Sequence, residues 1–149
     1  MAWGSRFKKG RVVALYFGKR SRIARDSCDP DLQKVLDHAI SKDQYDFTII
    51  EGHRGEERQN YLYETKRSHV KWPDGMHNFD PSKAVDVAPL TGGKINWNDI
   101  QFFREFGWWF LLCSLEVGVD LRWGGDWDSD LITKDQNFHD LPHYELANR

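Results

Sequence analysis

Four side chains in two short stretches could hold a divalent cation and use it: His77, Asp86 and His143, with Asp140 three places before the last histidine. A cation that activates water takes three protein donors and keeps one position open. Eight residues separate His77 from Asp86, and Asn78, Asp80 and Pro81 among them are turn formers that let the chain fold back. In "AVDVAP" Asp86 alternates with Val85 and Val87. If the valines face the core, the carboxylate faces the other way on an apolar strand and needs a partner of opposite charge. In "HYEL" the same period puts Glu145 on the side of His143 and Tyr144 on the other. His139 and His143 have the i, i+4 spacing of a helical metal pair, but Pro142 would sit inside the required turn, so His139 reads as a surface or outer residue. Residue types alone leave plainer readings open. The histidines could be structural, Asp140 could cap the turn before Pro142, and Arg54 could pair with Glu51, Glu56 or Glu57 at the surface.

The elements that must position these groups read as α+β. "DPDLQKVLDHAISK" predicts a helix capped by Asp29, with Pro30 at its first position and an apolar stripe at Leu32, Val35, Leu36, Ala39 and Ile40. His38 lies off that stripe. "DFTIIEG" and "AVDVAP" read as short strands, ended by Gly52 and Pro89, and "GEERQNYLYETK" as a helix between them. Residues 67–83, with Pro73, Gly75, Asn78, Asp80 and Pro81, read as a long loop. A long helix follows through "NWNDIQFFREFGWWFLLCSLEVG", capped by Asn96 or Asn98 and closed by Gly118. "DLRW" and "HYEL" are strands on either side of the "GGDWDSD" loop. The expected fold is one domain over residues 1–149, a small and mainly antiparallel sheet with helices packed on one side and the cation site in a cleft at the sheet.

Length and composition agree. A chain of 149 residues, 40% hydrophobic and 30% charged, suits one globular domain with its own core. A net charge of −2 argues against a dedicated nucleic-acid binder. Residues 1–16 read as a basic N-terminal arm, part of a basic run from Arg6 to Arg25 that reads as solvated. "VVALYF" is too short for a signal-peptide core, and no apolar run reaches the ~20 residues of a membrane helix. Cys28 and Cys113 fit no cysteine metal motif and read as structural, with a disulfide between them left open.

"MHNFDPSKAVDVAP", "LRWGGDWD" and "DLPHYEL", in that order and with "EGHR" upstream, resemble the zinc peptidases of family M15. Among these they look most like the L-alanyl-D-glutamate peptidases that phages use as endolysins, whose relatives include D-alanyl-D-alanine carboxypeptidases and dipeptidases. The resemblance runs from about residue 17 to 146. It implies one Zn²⁺ per chain held by His77, Asp86 and His143, with Asp140 as general base and Arg54 binding substrate or the developing oxyanion. Gln59 falls where many members carry a glutamine. Gln59, Ser82, Trp123, Asp126 and Glu145 are the expected substrate-binding or supporting residues, Glu145 either as acceptor for a zinc histidine or as an edge-strand surface residue. The segment from Trp123 to Trp127 reads mainly as a tight turn packing the cleft wall. Two positions depart from the family: Gly75 replaces a serine, and Tyr144 a phenylalanine. The resemblance implies hydrolysis of the L-Ala–D-Glu bond of peptidoglycan stem peptides by a monomer without nucleic-acid or membrane partners. That protein would be made in the host cytoplasm without a signal peptide and would reach the wall once the membrane is breached. A D,D-carboxypeptidase releasing terminal D-Ala, or a non-catalytic wall-binding module, are the alternatives.

Overall fold

The computed structural model describes residues 6–8, 11–136 and 139–147. The element order is β1 (Arg6–Lys8), β2 (Arg11–Val13), α1 (Lys19–Asp26), α2 (Pro30–Ser41), β3 (Phe47–Glu51), α3 (Glu56–Glu64), a 3₁₀ turn at Met76–Asn78, β4 (Ala84–Pro89), α4 (Ile100–Glu116), β5 (Leu121–Trp123) and β6 (His143–Leu146). β3, β4, β6 and β5 form an antiparallel sheet in that order. This is the α+β arrangement expected from the pattern of elements.

One face of the sheet makes the core. Phe47, Ile49, Val85, Val87, Leu121, Trp123, Tyr144 and Leu146 are buried there. α4 lies against β4 and β5, and α2 packs on α4. The aromatic residues of α4 dominate the contact, with Phe106 5.4 Å from Phe47 and Phe110 4.6 Å from Tyr144, centroid to centroid. Both cysteines are buried free thiols, so the open question of a disulfide resolves against one. The apolar stripe of α2 is buried and Asp29 accepts a hydrogen bond from the Asp31 amide, as the sequence predicts.

One expectation is corrected, and the basic N-terminal segment carries elements that the sequence reading did not include: β1 and β2 form an antiparallel pair, and Lys19–Asp26 is a helix. The rest of the predicted arm, residues 1–5, 9 and 10, lies outside the described residues. α1 escaped detection because it is held by polar contacts. The buried Ser21 hydroxyl accepts from the Ile49 amide at 3.0 Å, and Arg25 grips Asp37 of α2 through two bonds of 2.7 and 2.6 Å. The long helix is capped by Asp99, whose carboxylate accepts from the Phe102 amide at 3.1 Å, rather than by Asn96 or Asn98. Asp99 stands immediately before the first helical residue, and its carboxylate reaches the third amide of the new turn.

Candidate metal centre and cleft

The face opposite the core carries the site. Asp86 of β4 stands directly across from His143 of β6, and Glu51 of β3 stands across from Asp86 after a bulge between Ile49 and Glu51. His77 is the middle residue of the 3₁₀ turn. It is delivered by the folded-back segment 67–83, whose end is tied to the chain before α2 by Ser82 N–H to the Ser27 carbonyl and Asp29 N–H to the Ser82 carbonyl. His77 Nε2 lies 3.1 Å and His143 Nδ1 3.2 Å from the same Asp86 Oδ1, with the two rings 5.1 Å apart.

The outer contacts of both rings decide which nitrogens face inward. His77 Nδ1 is 2.7 Å from the Gly52 carbonyl, which can only accept, so Nδ1 carries the proton. His143 Nε2 is 2.8 Å from the Glu145 carboxylate and donates to it. When both imidazoles are neutral, two lone pairs and a carboxylate converge, an arrangement that needs a cation, a metal ion or a proton, among them. Two nitrogens and one oxygen, each ring fixed from behind by an acceptor, are a donor set that fits zinc and other divalent transition metals. Where no metal intervenes, a proton does the same work. Burial pushes the His143 imidazole down, but the bonds to Asp86 and Glu145 outweigh it and raise it to about 9. Burial pushes the Asp86 carboxyl up, but the charge of His77 and the bonds from both histidines hold it well below the usual carboxylate range. A metal would therefore have to displace a proton to bind here.

The cleft over this centre has a volume of about 600 Å³ and includes Arg54, Gln59, Arg122, Trp127 and Asp140 in its walls. Asp140 is fixed through its backbone: its N–H donates to the Gly124 carbonyl at 2.9 Å and its carbonyl accepts from the His143 N–H at 3.0 Å. Burial first, and the neighbouring Asp86 second, push its carboxyl above the ordinary value, the direction a base working near neutral pH needs. Arg54 does pair with Glu51, through bonds of 3.0 and 2.6 Å, but in the cleft rather than at the surface. Its guanidinium also reaches Gln59 Oε1 at 3.2 Å and Asp86 Oδ2 at 3.5 Å.

The supporting residues divide. Gln59 is buried and joins Arg54, Asn78, Ser68 and the Val70 carbonyl, bracing the arginine against the segment that carries His77. Glu145 sits behind His143, as one of its two readings requires. Ser82 is brought not to the cleft but into a buried turn, its hydroxyl bonded to Ala84 backbone atoms. Trp123 is in the core, donating to the Leu141 carbonyl at 2.9 Å, and Trp127 is the tryptophan in the cleft wall. Asp126 is buried and accepts from the Asp130 and Leu131 amides, shaping the loop after β5. His139 is exposed. Sequence reasoning read Glu51 only as a surface partner of Arg54 and Asn78 only as a turn former, and the Gly52 carbonyl has no side-chain signal at all.

The "WGG" motif has a mechanical reason. A Cβ at Gly124 would lie 2.1 Å from the Asp140 carbonyl oxygen. Gly124→Ala is therefore expected to push Asp140 and His143 out of register with the centre, lowering kcat/KM by about 100-fold for a shift on the order of 1 Å. Steady-state kinetics at a temperature where circular dichroism shows the variant folded would check this.

A family model described as phage L-alanyl-D-glutamate peptidase matches residues 13–147. The L-alanyl-D-glutamate peptidase of Escherichia phage T5 is 36% identical over 140 residues, covering 91% of this chain and all of that protein (100%). The crystal structure of Serratia marcescens L-Ala D-Glu endopeptidase ChiX superposes with a TM-score of 0.71 at 24% identity, over 89% of this chain and 90% of that one, a likeness of fold.

Proposed function

The chain belongs to the phage L-alanyl-D-glutamate peptidase family, and from that premise we propose that it is a zinc-dependent peptidoglycan endopeptidase that hydrolyses the L-Ala–D-Glu bond of stem peptides. The observation that supports the metal dependence is the convergence of His77 Nε2, His143 Nδ1 and Asp86 Oδ1, three potential metal-ligand atoms aimed at one point. Bound zinc supplies an acidified water and a Lewis acid for the scissile carbonyl. Asp140 takes the proton from the attacking water and hands it to the leaving amine, which suits a carboxylate whose affinity for protons is raised. Arg54, its guanidinium fixed by Glu51 and Gln59, offers positive charge beside the centre to the developing oxyanion or a substrate carboxylate. Stem peptides are rich in carboxylates, and Arg58 and Arg67 add to the positive side of the cleft. Among the described residues no helix is long and apolar enough to cross a membrane. Action on the wall after breach of the membrane, as a monomer, completes the reading.

The test is mass spectrometry of products released from purified peptidoglycan, with zinc-loaded protein and with a chelated control. Stem peptides beginning at D-Glu, lost on chelation and restored by zinc, are expected. Free D-Ala would move the assignment to a D,D-carboxypeptidase, and no cleavage across several wall types would leave a binding module.

A further inference from the structure

We propose that Arg122 is a positioning residue of the metal centre, holding the His143 imidazole from two sides through Glu145 and Trp127. The proposal rests on the metallopeptidase reading above and adds a part that neither the motifs nor the donor set identify.

β5 turns Arg122 to the cleft face, because its neighbours Leu121 and Trp123 are buried on the core side. Directly across the sheet stands Glu145. Arg122 Nη2 is 3.0 Å from Glu145 Oε2, while the other oxygen of that carboxylate accepts from His143 Nε2 at 2.8 Å. The second arm runs through an aromatic ring. The Arg122 guanidinium sits over the Trp127 ring, 5.2 Å from its centroid, and the Trp127 ring is 5.4 Å from that of His143. The imidazole is thus bonded at its outer nitrogen and flanked on its ring, and one arginine anchors both contacts.

A half-exposed arginine on a carboxylate ordinarily contributes little. This pair differs at its acidic end. The Arg122 side chain is 47% exposed, but that of Glu145 is only 10% exposed and is already committed to a metal histidine. A metal on His143 Nδ1 makes the imidazole neutral. Among the described residues Arg122 is then the cation paired with a largely buried carboxylate. Lysine would supply the charge without the planar face that lies on Trp127.

The test measures zinc affinity directly, by competition with a chromophoric chelator, on folded wild-type protein and on Arg122→Gln, Arg122→Lys, Glu145→Gln and the Arg122→Gln/Glu145→Gln double variant. Supports of metal ligands typically matter by 10- to 100-fold in affinity. Arg122→Gln is expected to bind zinc about 10-fold more weakly or worse, with unchanged circular dichroism, and Arg122→Lys to fall between it and wild type. The double variant is expected to be little weaker than Glu145→Gln alone, since the arginine acts largely through that carboxylate. Wild-type affinity in Arg122→Gln overturns the proposal. So does a raised KM on peptidoglycan with unchanged zinc affinity, which would make Arg122 a substrate contact. The wild-type arm separates this failure from the larger one. A wild type that takes no zinc removes the metallopeptidase reading and this proposal with it, whereas equal tight binding by wild type and Arg122→Gln removes this proposal alone.

Discussion

Asp86→Asn is expected to give a folded protein that takes up no zinc and releases no product from peptidoglycan. The substitution keeps the shape of the side chain and removes its charge. Asp86 is the shared partner of His77 and His143, and its second oxygen faces Arg54 at 3.5 Å. An asparagine amide can still donate to one inward imidazole lone pair, so the neighbourhood keeps a hydrogen bond that needs no cation. The centre loses its anionic donor, and with it the charge that balances a divalent ion. A metal ion contributes several kcal/mol to transition-state stabilisation, and at about 1.4 kcal/mol per factor of ten its loss lowers kcat/KM by roughly 10³-fold or more. Zinc content by atomic absorption and turnover on purified peptidoglycan check both halves. Thermal denaturation gives a third readout: zinc should raise the midpoint of wild type, as any ligand of the native state does, and leave the variant's unmoved. A variant that retained zinc and turnover would remove Asp86 from the centre.

Asp140→Asn tests the other half of the chemistry. Zinc affinity should change little, because Asp140 is not among the three converging donors, while kcat falls by about 10²- to 10⁴-fold, the usual contribution of a positioned acid–base group. The pH profile supplies the sign. A base works only when unprotonated, and the Asp140 carboxyl is raised, chiefly by burial and then by Asp86. The rate is therefore full where Asp140 is unprotonated and lost as pH falls through its pKa, an acid limb that burial and Asp86 raise and the charge of bound zinc lowers. The same limb should vanish from the residual activity of Asp140→Asn. Asp140→Glu keeps the chemistry with a longer reach and should recover part of the rate. Equal loss of zinc and activity in Asp140→Asn would instead make Asp140 a structural support of the centre.

The candidate donors were legible because their chemistry lies in their own side chains and, for Asp86 and His143, their placement in the period of a strand. Asp86 between Val85 and Val87, and His143 two residues from Glu145, already specify a face. The sheet then does what the period implies, setting β4 beside β6 with Asp86 opposite His143. What escaped lies in the backbone or in polar packing. The Gly52 carbonyl that fixes the tautomer of His77 leaves no trace in residue type. The bulge that sets Glu51 against Asp86 depends on how β3 pairs, not on its composition. α1 reads as a solvated basic run because a serine, an arginine and their partners hold it, where an apolar stripe would have announced it. Arg54 shows the limit from the other side. Its pairing with Glu51 could be guessed from nearness in sequence, but only the fold turns that pair inward to the cleft.

The four residues of β6 alternate between two duties. His143 and Glu145 serve the cleft, while Tyr144, 4.6 Å from Phe110 and stacked 6.2 Å from Trp123, and Leu146 serve the core. Neighbouring peptide planes are shared between those duties, so selection for a better-packed Tyr144 shifts the atoms that aim both site residues. A substitution anywhere in β6 is therefore felt at once in the stability of the core and in the aim of the cleft, whereas the loops around the cleft carry no such double load.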